Sequence, residues 1–303
     1  MNALFGPAGM SDDAAANKIK TTEQLLSYLS EKGVDLFEYQ CGRGVNVGAE
    51  KCAAIGKRAK EEGITLSLHA PYFISLASAE EEKRDNSIRY ILQSARAASA
   101  MGAERIVVHP GGIGKYSREE ATAIACDTLR RAVATLDGEG LSHIVMCPEV
   151  MGKINQLGDV DEVISFCELD ERMIPCVDFG HLNSRTHGGI KIEDDCRAVF
   201  EKIRNKLGEE RGRAVHIHFS KIEYSKGGEV RHLTFEDSSF GPDFTVLMKC
   251  IARDRLHPHI ICESAGTQTA DALDMKRCYK KFKSSFERKD ERKDVQNNEN
   301  TDN

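Results

Sequence analysis

None of the ten cysteines, at positions 41, 52, 126, 147, 167, 176, 196, 250, 262 and 278, belongs to a CxxC pair. They are scattered, and several sit in apolar runs such as MCPEV, IPCVDF and IICES, where cysteine reads as a small buried hydrophobe. With no export signal in a chain of 303 residues, a disulfide framework is not expected and a reducing, cytoplasmic setting fits. No run of 18 apolar residues exists, so no membrane-spanning helix is expected. The opening MNALFGPAGMSDD lacks the basic and apolar regions of a signal peptide. Basic charge is not in excess: 42 Lys+Arg against 48 Asp+Glu leave a net charge of −6. That is not the footprint of an ordinary DNA-binding module, although bound metal ions would add positive charge that this count omits. No GxGxxG phosphate loop follows the first strand, because GPAG has the wrong spacing. No internal repeat is visible.

What is present is alternation. Hydrophobic residues make up 40% of the chain, enough for a sizeable core. Short apolar segments predict strands near 3–6, 34–40, 64–69, 104–109, 143–149, 173–178, 213–219 and 259–263. Amphipathic segments predict helices near 20–32, 47–62, 80–101, 117–137, 158–170, 190–208, 242–254 and 268–282. In the helix over 80–101, Ile88, Ile91, Leu92, Ala95 and Ala98 share one face. Eight strands alternating with eight helices imply parallel βαβ units. The count of eight, with polar residues at the C-terminal ends of many strands, favours a closed (β/α)8 TIM barrel over an open sheet. The α/β barrel occupies residues 1–282 as a single domain. Residues 283–303 are charged, almost without apolar residues, and expected to be a disordered tail.

The strand ends carry the chemistry. Strand three ends at His69 in SLHAPY and strand four at His109 in VVHPGG. Strand five ends at Glu149 in MCPEV, and CVDFGH supplies Asp178 and His181 at strand six. HIHFSK places His216 and His218 on strand seven, the following loop carries His232, and strand eight ends at Glu263 in ICES. Any one of these is ordinarily a hydrogen-bonded loop or core residue. Glu149 and Glu263 could pair with Lys153 and Lys221. In a barrel, however, all the strand ends face one mouth, and unpaired buried carboxylates there would cost roughly several kcal/mol each. Divalent cations remove that cost. Mixed imidazole and carboxylate donors suit zinc, manganese or iron better than magnesium or calcium. Three carboxylates point to more than one ion, since a carboxylate can bridge two. His218, two residues beyond His216, faces the same side of its strand and reads as a supporting partner.

These motifs resemble the endonuclease IV family of abasic-site endonucleases, within the xylose-isomerase-like barrel superfamily. The resemblance spans about residues 3–282. It rests on HAPY at 69–72, HPGG at 109–112, PEVMGKINQLG at 148–158, DFGH at 178–181, HIHFSK at 216–221 and CES at 262–264. It implies a zinc cluster of two or three ions. His69, His109 and Glu149 would hold one ion. Glu149 would bridge to a second, also held by Asp178, His216 and Glu263. His181 and His232 would hold a third. The aspartate that completes the third site in the family is replaced here by Val230, and Glu229 could substitute only if the loop is reshaped. Glu149, Glu263 and Asp178 would be the catalytic residues. The implied partner is duplex DNA, cut 5′ to an abasic site in base excision repair, with Tyr72, Phe73 and Arg43 contacting the duplex. The alternative is a sugar isomerase or epimerase with one metal held by Glu149, Asp178, His216 and Glu263. The surplus of His69, His109, His181 and His232 weighs against it.

Overall fold

The computed structural model describes residues 2–301, with side chains through residue 289. Eight parallel strands form the barrel: β1 (Leu4–Pro7), β2 (Leu36–Gln40), β3 (Thr65–His69), β4 (Arg105–Val108), β5 (Val145–Pro148), β6 (Cys176–Asp178), β7 (His216–Phe219) and β10 (His259–Cys262). They hydrogen-bond as two runs of four, β2-β3-β4-β5 and β6-β7-β10-β1. Single parallel bridges, Ala8 to Glu38 and Glu149 to Cys176, join the runs into a closed barrel. Between β7 and β10 lies an antiparallel hairpin, β8 (Lys221–Ser225) and β9 (Gly228–Leu233).

Seven long helices match the predicted amphipathic segments: α2 (Thr22–Lys32), α3 (Ala49–Glu62), α4 (Glu81–Met101), α5 (Arg118–Gly138), α6 (Val160–Cys167), α8 (Glu193–Leu207) and α10 (Phe244–Arg253). Their ends follow local chemistry. Thr21, Ser117 and Asp159 cap α2, α5 and α6 with reciprocal bonds to Gln24, Glu120 and Glu162, which satisfies backbone donors that the helix leaves free. Gly33, Gly63 and Gly102 end α2, α3 and α4 in the left-handed conformation, which glycine adopts without a Cβ clash. On α4, Ile91, Ala95 and Ala98 are completely buried against the barrel. Truncating Ile91 to alanine would cost about 2–5 kcal/mol.

Three short helices were not legible in the periodicity: α1 (Asp12–Ala16), α7 (Phe179–Arg185) and α9 (Glu209–Arg213). The last helix, α11, runs Gln268–Thr301, past residue 282 where the apolar pattern ends. In that extension Lys283 donates to the Asn2 side chain at 2.6 Å. The expected disordered tail over 283–303 lies, from residue 290 onward, outside the residues with described side chains. All ten cysteines are free and eight are buried. Among the described residues, no helix is long and apolar enough to cross a membrane.

The main core lies between strands and helices. Inside the barrel the apolar cluster is small: Val107, Cys147 and Cys176, flanked by Val145 and Ile174. Glu38, Ser67, His216 and His218 share that interior and are fully buried.

Candidate metal centre

The C-terminal ends of the strands surround an open cavity of about 540 Å³. His69 closes β3, while His109 follows β4, Glu149 follows β5 and Glu263 follows β10. Asp178 ends β6 and caps α7, with its Oδ1 accepting from the His181 backbone N–H at 2.7 Å. That cap fixes the turn that brings His181 into the same mouth.

Glu149 stands at the centre. Its Oε2 lies 2.9 Å from His109 Nε2 and 3.3 Å from His69 Nε2. Its Oε1 lies 3.2 Å from His218 Nδ1 and 3.3 Å from His181 Nδ1. The two oxygens therefore serve two different sets of neighbours, the arrangement a bridging carboxylate needs. Among the described residues, five groups of donor atoms have internal separations of no more than 4.8 Å, and three of them divide the mouth: His69, His109 and Glu149; Glu149, Asp178, His218 and Glu263; and His181, Glu229 and His232; the other two, His69, His218 and Glu263 and, deeper, Cys176, His216 and His218, overlap these through His218.

The hydrogen bonds show what these groups lack. His69 Nδ1–H donates to the Ala70 carbonyl at 2.8 Å, and His181 Nδ1–H to the Val150 carbonyl at 3.1 Å. Left unprotonated, each ring would turn a lone pair toward a carboxylate: His69 Nε2 toward Glu149, and His181 Nε2 toward Glu229 Oε2 at 3.4 Å. Two lone pairs face to face repel unless a cation, a proton or a metal ion, lies between them. Asp178 Oδ2 is buried with no hydrogen-bond partner among the described residues. The electrostatics agree. Burial alone would lower the His181 pKa, but Asp178, Glu149 and Glu229 push it up to about 10. Burial would raise the Glu149 carboxyl, but the His109 and His218 rings hold it well below the usual carboxylate range. For His109 burial wins, and its pKa falls. The mouth is a field that retains positive charge, and its nitrogen and oxygen donors fit zinc, manganese or iron.

One sequence expectation needs correction. His216 does not reach the mouth. It pairs in register with Cys176 and His259, whereas His218 pairs with Asp178. Residues two apart share a face but stand roughly 6–7 Å apart along the strand. His216 therefore lies one layer deeper, with Nε2 3.0 Å from Glu38 Oε2. His218 takes the place expected of it in the Glu149, Asp178 and Glu263 group. Glu229 was expected to join His181 and His232 only with a reshaped loop after β7, and the hairpin there is irregular. Glu223 pairs with Arg231 but Tyr224 pairs with Glu229, which leaves Val230 as an extra residue in a β-bulge. The bulge turns Val230 out to solvent, 51% exposed, and leaves Glu229 and His232 both lining the cavity. A bulge re-aims one side chain in this way. Glu229, and not Val230, thus lies with His181 and His232.

The remaining expected residues sit at the rim. Tyr72 packs its ring 5.6 Å from His69 and 5.5 Å from His109, beside Gly42, where a Cβ would come within 2.6 Å of the Tyr72 ring. Phe73 leans on Tyr90 at 6.0 Å, and both rim aromatics are 57% exposed. Arg43 is exposed in the loop after β2. Neither Glu149 nor Glu263 pairs with the lysines that offered an ordinary reading, since Lys221 donates to the Phe235 and Asp237 carbonyls.

Sequence reading missed several contributors. Ser220 shares a hydrogen bond of 2.8 Å with His232 Nδ1. Lys153, Gln40 and Gln268 line the cavity. Glu38 lies behind His218, and its signal was present: a carboxylate in the middle of the apolar strand LFEYQ.

The chain is similar to several known proteins. It is 33% identical over 278 residues to "Uncharacterized protein MJ0133" of Methanocaldococcus jannaschii, covering 91% of this chain and 96% of that protein. It is 28% identical to "Probable endonuclease 4" of Mycoplasma pneumoniae over 63% of this chain, and the match spans 64% of that protein's length. Among solved structures, a D-tagatose 3-epimerase-like protein superposes with a TM-score of 0.68 at 18% identity, over 94% of this chain and 99% of that one. Endonuclease IV from Thermus thermophilus superposes at 0.62, also 18% identical, over 87% and 94%. At such identities the superpositions establish the fold alone. The family model described as xylose isomerase-like TIM barrel matches residues 26–281, and the chain belongs to that family.

Proposed function

We propose that this protein is a metal-dependent phosphodiesterase that cuts the DNA backbone 5′ to abasic sites. The observation that carries this reading is the set of three contiguous donor groups, two of which share Glu149. One metal for sugar chemistry would leave His69, His109, His181, Glu229 and His232 without a purpose. Phosphodiester hydrolysis uses several cations to activate water and offset charge on the phosphoryl and leaving oxygens.

The residues divide the work. His69 and His109 would hold one zinc ion, with Glu149 shared. Asp178, His218 and Glu263 would hold the second, and His181, Glu229 and His232 the third. Lys153 supplies a positive charge at the cavity wall, suited to a phosphate oxygen. Tyr72 and Phe73 offer apolar faces at the rim, where side chains can wedge between base steps. A nucleotide without a base has little stacking to lose when it turns out of the duplex.

A second reading has one observation behind it. Glu149, Asp178, His218 and Glu263 form a self-sufficient set of two Glu, one Asp and one His, enough for a single-metal sugar isomerase or epimerase. One experiment separates the two. A duplex with one tetrahydrofuran abasic analogue is incubated with protein purified without chelator, beside an intact duplex, and the metals are counted on the same sample. Cleavage 5′ to the analogue, abolished by chelation, with two or three ions bound, supports the nuclease. No cleavage, with about one ion bound, transfers the assignment to the sugar enzyme.

A further inference from the structure

Glu38 is fully buried in the barrel interior and belongs to none of the donor groups at the mouth. Four side chains converge on it. Ser67 Oγ donates to Oε2 at 2.9 Å and Gln40 Nε2 to Oε1 at 3.2 Å. His216 Nε2 lies 3.0 Å from Oε2, and His218 Nε2 lies 3.0 Å from Oε1. The last approach is oblique, and His218 Nε2 has no aligned acceptor. On the other edge of the same ring, Nδ1 faces Glu149 Oε1 at 3.2 Å and Glu263 Oε2 at 3.5 Å. His218 is thus gripped between a carboxylate below and the carboxylates of the mouth above.

A buried carboxylate is costly unless its partners compensate. An apolar side chain would fill the same space more cheaply, so a plug for the barrel does not account for the charge. A carboxylate behind a ligating histidine does: it keeps the proton on the far nitrogen, fixes the ring plane and makes the near nitrogen a better donor. We propose that Glu38 is a positioning residue whose charge, 3.0 Å from His218 Nε2, favours the proton on that nitrogen and leaves the lone pair on Nδ1, so that His218 ligates through Nδ1. His69 and His181 are held the opposite way, with Nδ1–H tied to the Ala70 and Val150 carbonyls, and ligate through Nε2. The mouth then uses both imidazole edges, each chosen by what lies behind the ring. The proposal rests on the metal reading of the mouth.

Two measurements test it. The first uses the unaltered protein, labelled with 15N-histidine and loaded with zinc. Imidazole 15N spectra are expected to show His218 protonated at Nε2 and ligated at Nδ1, with His69 and His181 the reverse. A His218 ligated through Nε2, or not ligated, overturns the proposal. The second compares zinc affinity, by competition with a chromophoric chelator, for the parent, Glu38→Gln and Val107→Ala. Glu38→Gln is expected to weaken one zinc ion roughly 10–100-fold. Val107→Ala, which thins the same interior at a side chain that carries no donor atom, is expected to lower thermal stability and leave zinc affinity unchanged. Equal affinity for parent and Glu38→Gln reduces Glu38 to a structural group. A parent that binds no divalent ion fails at an earlier step, by removing the metal reading itself. If Glu38→Gln does not fold, the spectra of the unaltered protein decide.

Discussion

Gly228→Ala is expected to remove one metal ion and leave the others. Gly228 begins β9 at a φ of +90°, and a Cβ there would lie 2.1 Å from the Gly152 carbonyl oxygen. An L side chain at that φ costs on the order of 1–3 kcal/mol in backbone strain alone. The contact also demands that the hairpin and the loop after β5 separate by about 1 Å, since Cβ atoms do not approach closer than 3.0 Å. The neighbourhood resists that movement. Lys153 and Gly228 form a β-bridge, Glu229 N–H donates to the Gly152 carbonyl, and Ile154 N–H donates to the Gly227 carbonyl. Gly152 is as tightly packed, because a Cβ on it would meet Glu229 Cβ at 2.7 Å and His181 Cδ2 at 2.9 Å. Glu229 is the very next residue, so it moves with the hairpin. Metal sites tolerate about 0.2 Å in ligand distance, and a shift of about 1 Å exceeds that several-fold. The assay is elemental analysis of purified protein, with thermal unfolding alongside. The expected result is one ion fewer than the parent and a Tm lower by several degrees. Gly227→Ala is the control, as its Cβ would meet only Ser225 Oγ at 3.8 Å. A Gly228→Ala protein with the parent's full metal content would refute the link between this close approach and the His181, Glu229 and His232 group.

Glu149→Gln removes the charge shared by two groups and is expected to lower metal content by at least one ion. The rate of abasic-duplex cleavage should fall on the order of 1,000-fold or more, read by single-turnover kinetics. Lys153→Gln is expected to raise KM roughly tenfold or more with kcat little changed, because a charged hydrogen bond contributes about 1.5–3 kcal/mol and this one would be made equally before and during reaction. For Arg172→Gln the readout is pH-dependent stability. Arg172 donates to Asp170 and Asp137 and holds both carboxyls below their ordinary values. A depressed carboxyl pKa stabilises the fold above the unfolded value, near 3.8, and that stability is lost as pH falls through the folded value. The variant should therefore unfold at lower urea than the parent at pH 7, with the gap closing below about pH 4; a gap independent of pH would refute the assignment.

The alternation of elements was readable because each carries its own period. Every barrel strand falls within about three residues of its predicted span, and Ile91, Ala95 and Ala98 on α4 are buried as their spacing requires. Which residues gather at the mouth was readable from the strand ends, since parallel strands in a barrel share one polarity. The finer placement was not. Choosing His216 over His218 required the register of β7 against β6, a relation between strands distant in sequence, and spacing within HIHFSK says nothing of it. Glu229 was obscured for a related reason. Two-residue alternation puts Val230 on the side of His232, and only the bulge opposite Tyr224 reverses that. The hairpin and α7 escaped notice because neither is long enough to show a period. Glu38 was visible as a charge in an apolar strand, but its four partners come from three strands.

The interior of this barrel has a consequence for how the molecule bears change. In most such barrels, branched aliphatic side chains fill the centre in layers. Here that space holds a carboxylate, two imidazoles, a hydroxyl and two thiols beside a few apolar groups. Cohesion comes from the outer shell, where helices clamp the strands from outside. The centre is held by mutual compensation of charge and proton rather than by apolar fill, so each group there depends on the others. Substitutions along the barrel axis should therefore be tolerated in matched pairs more readily than singly, because removing one partner leaves the other buried and uncompensated.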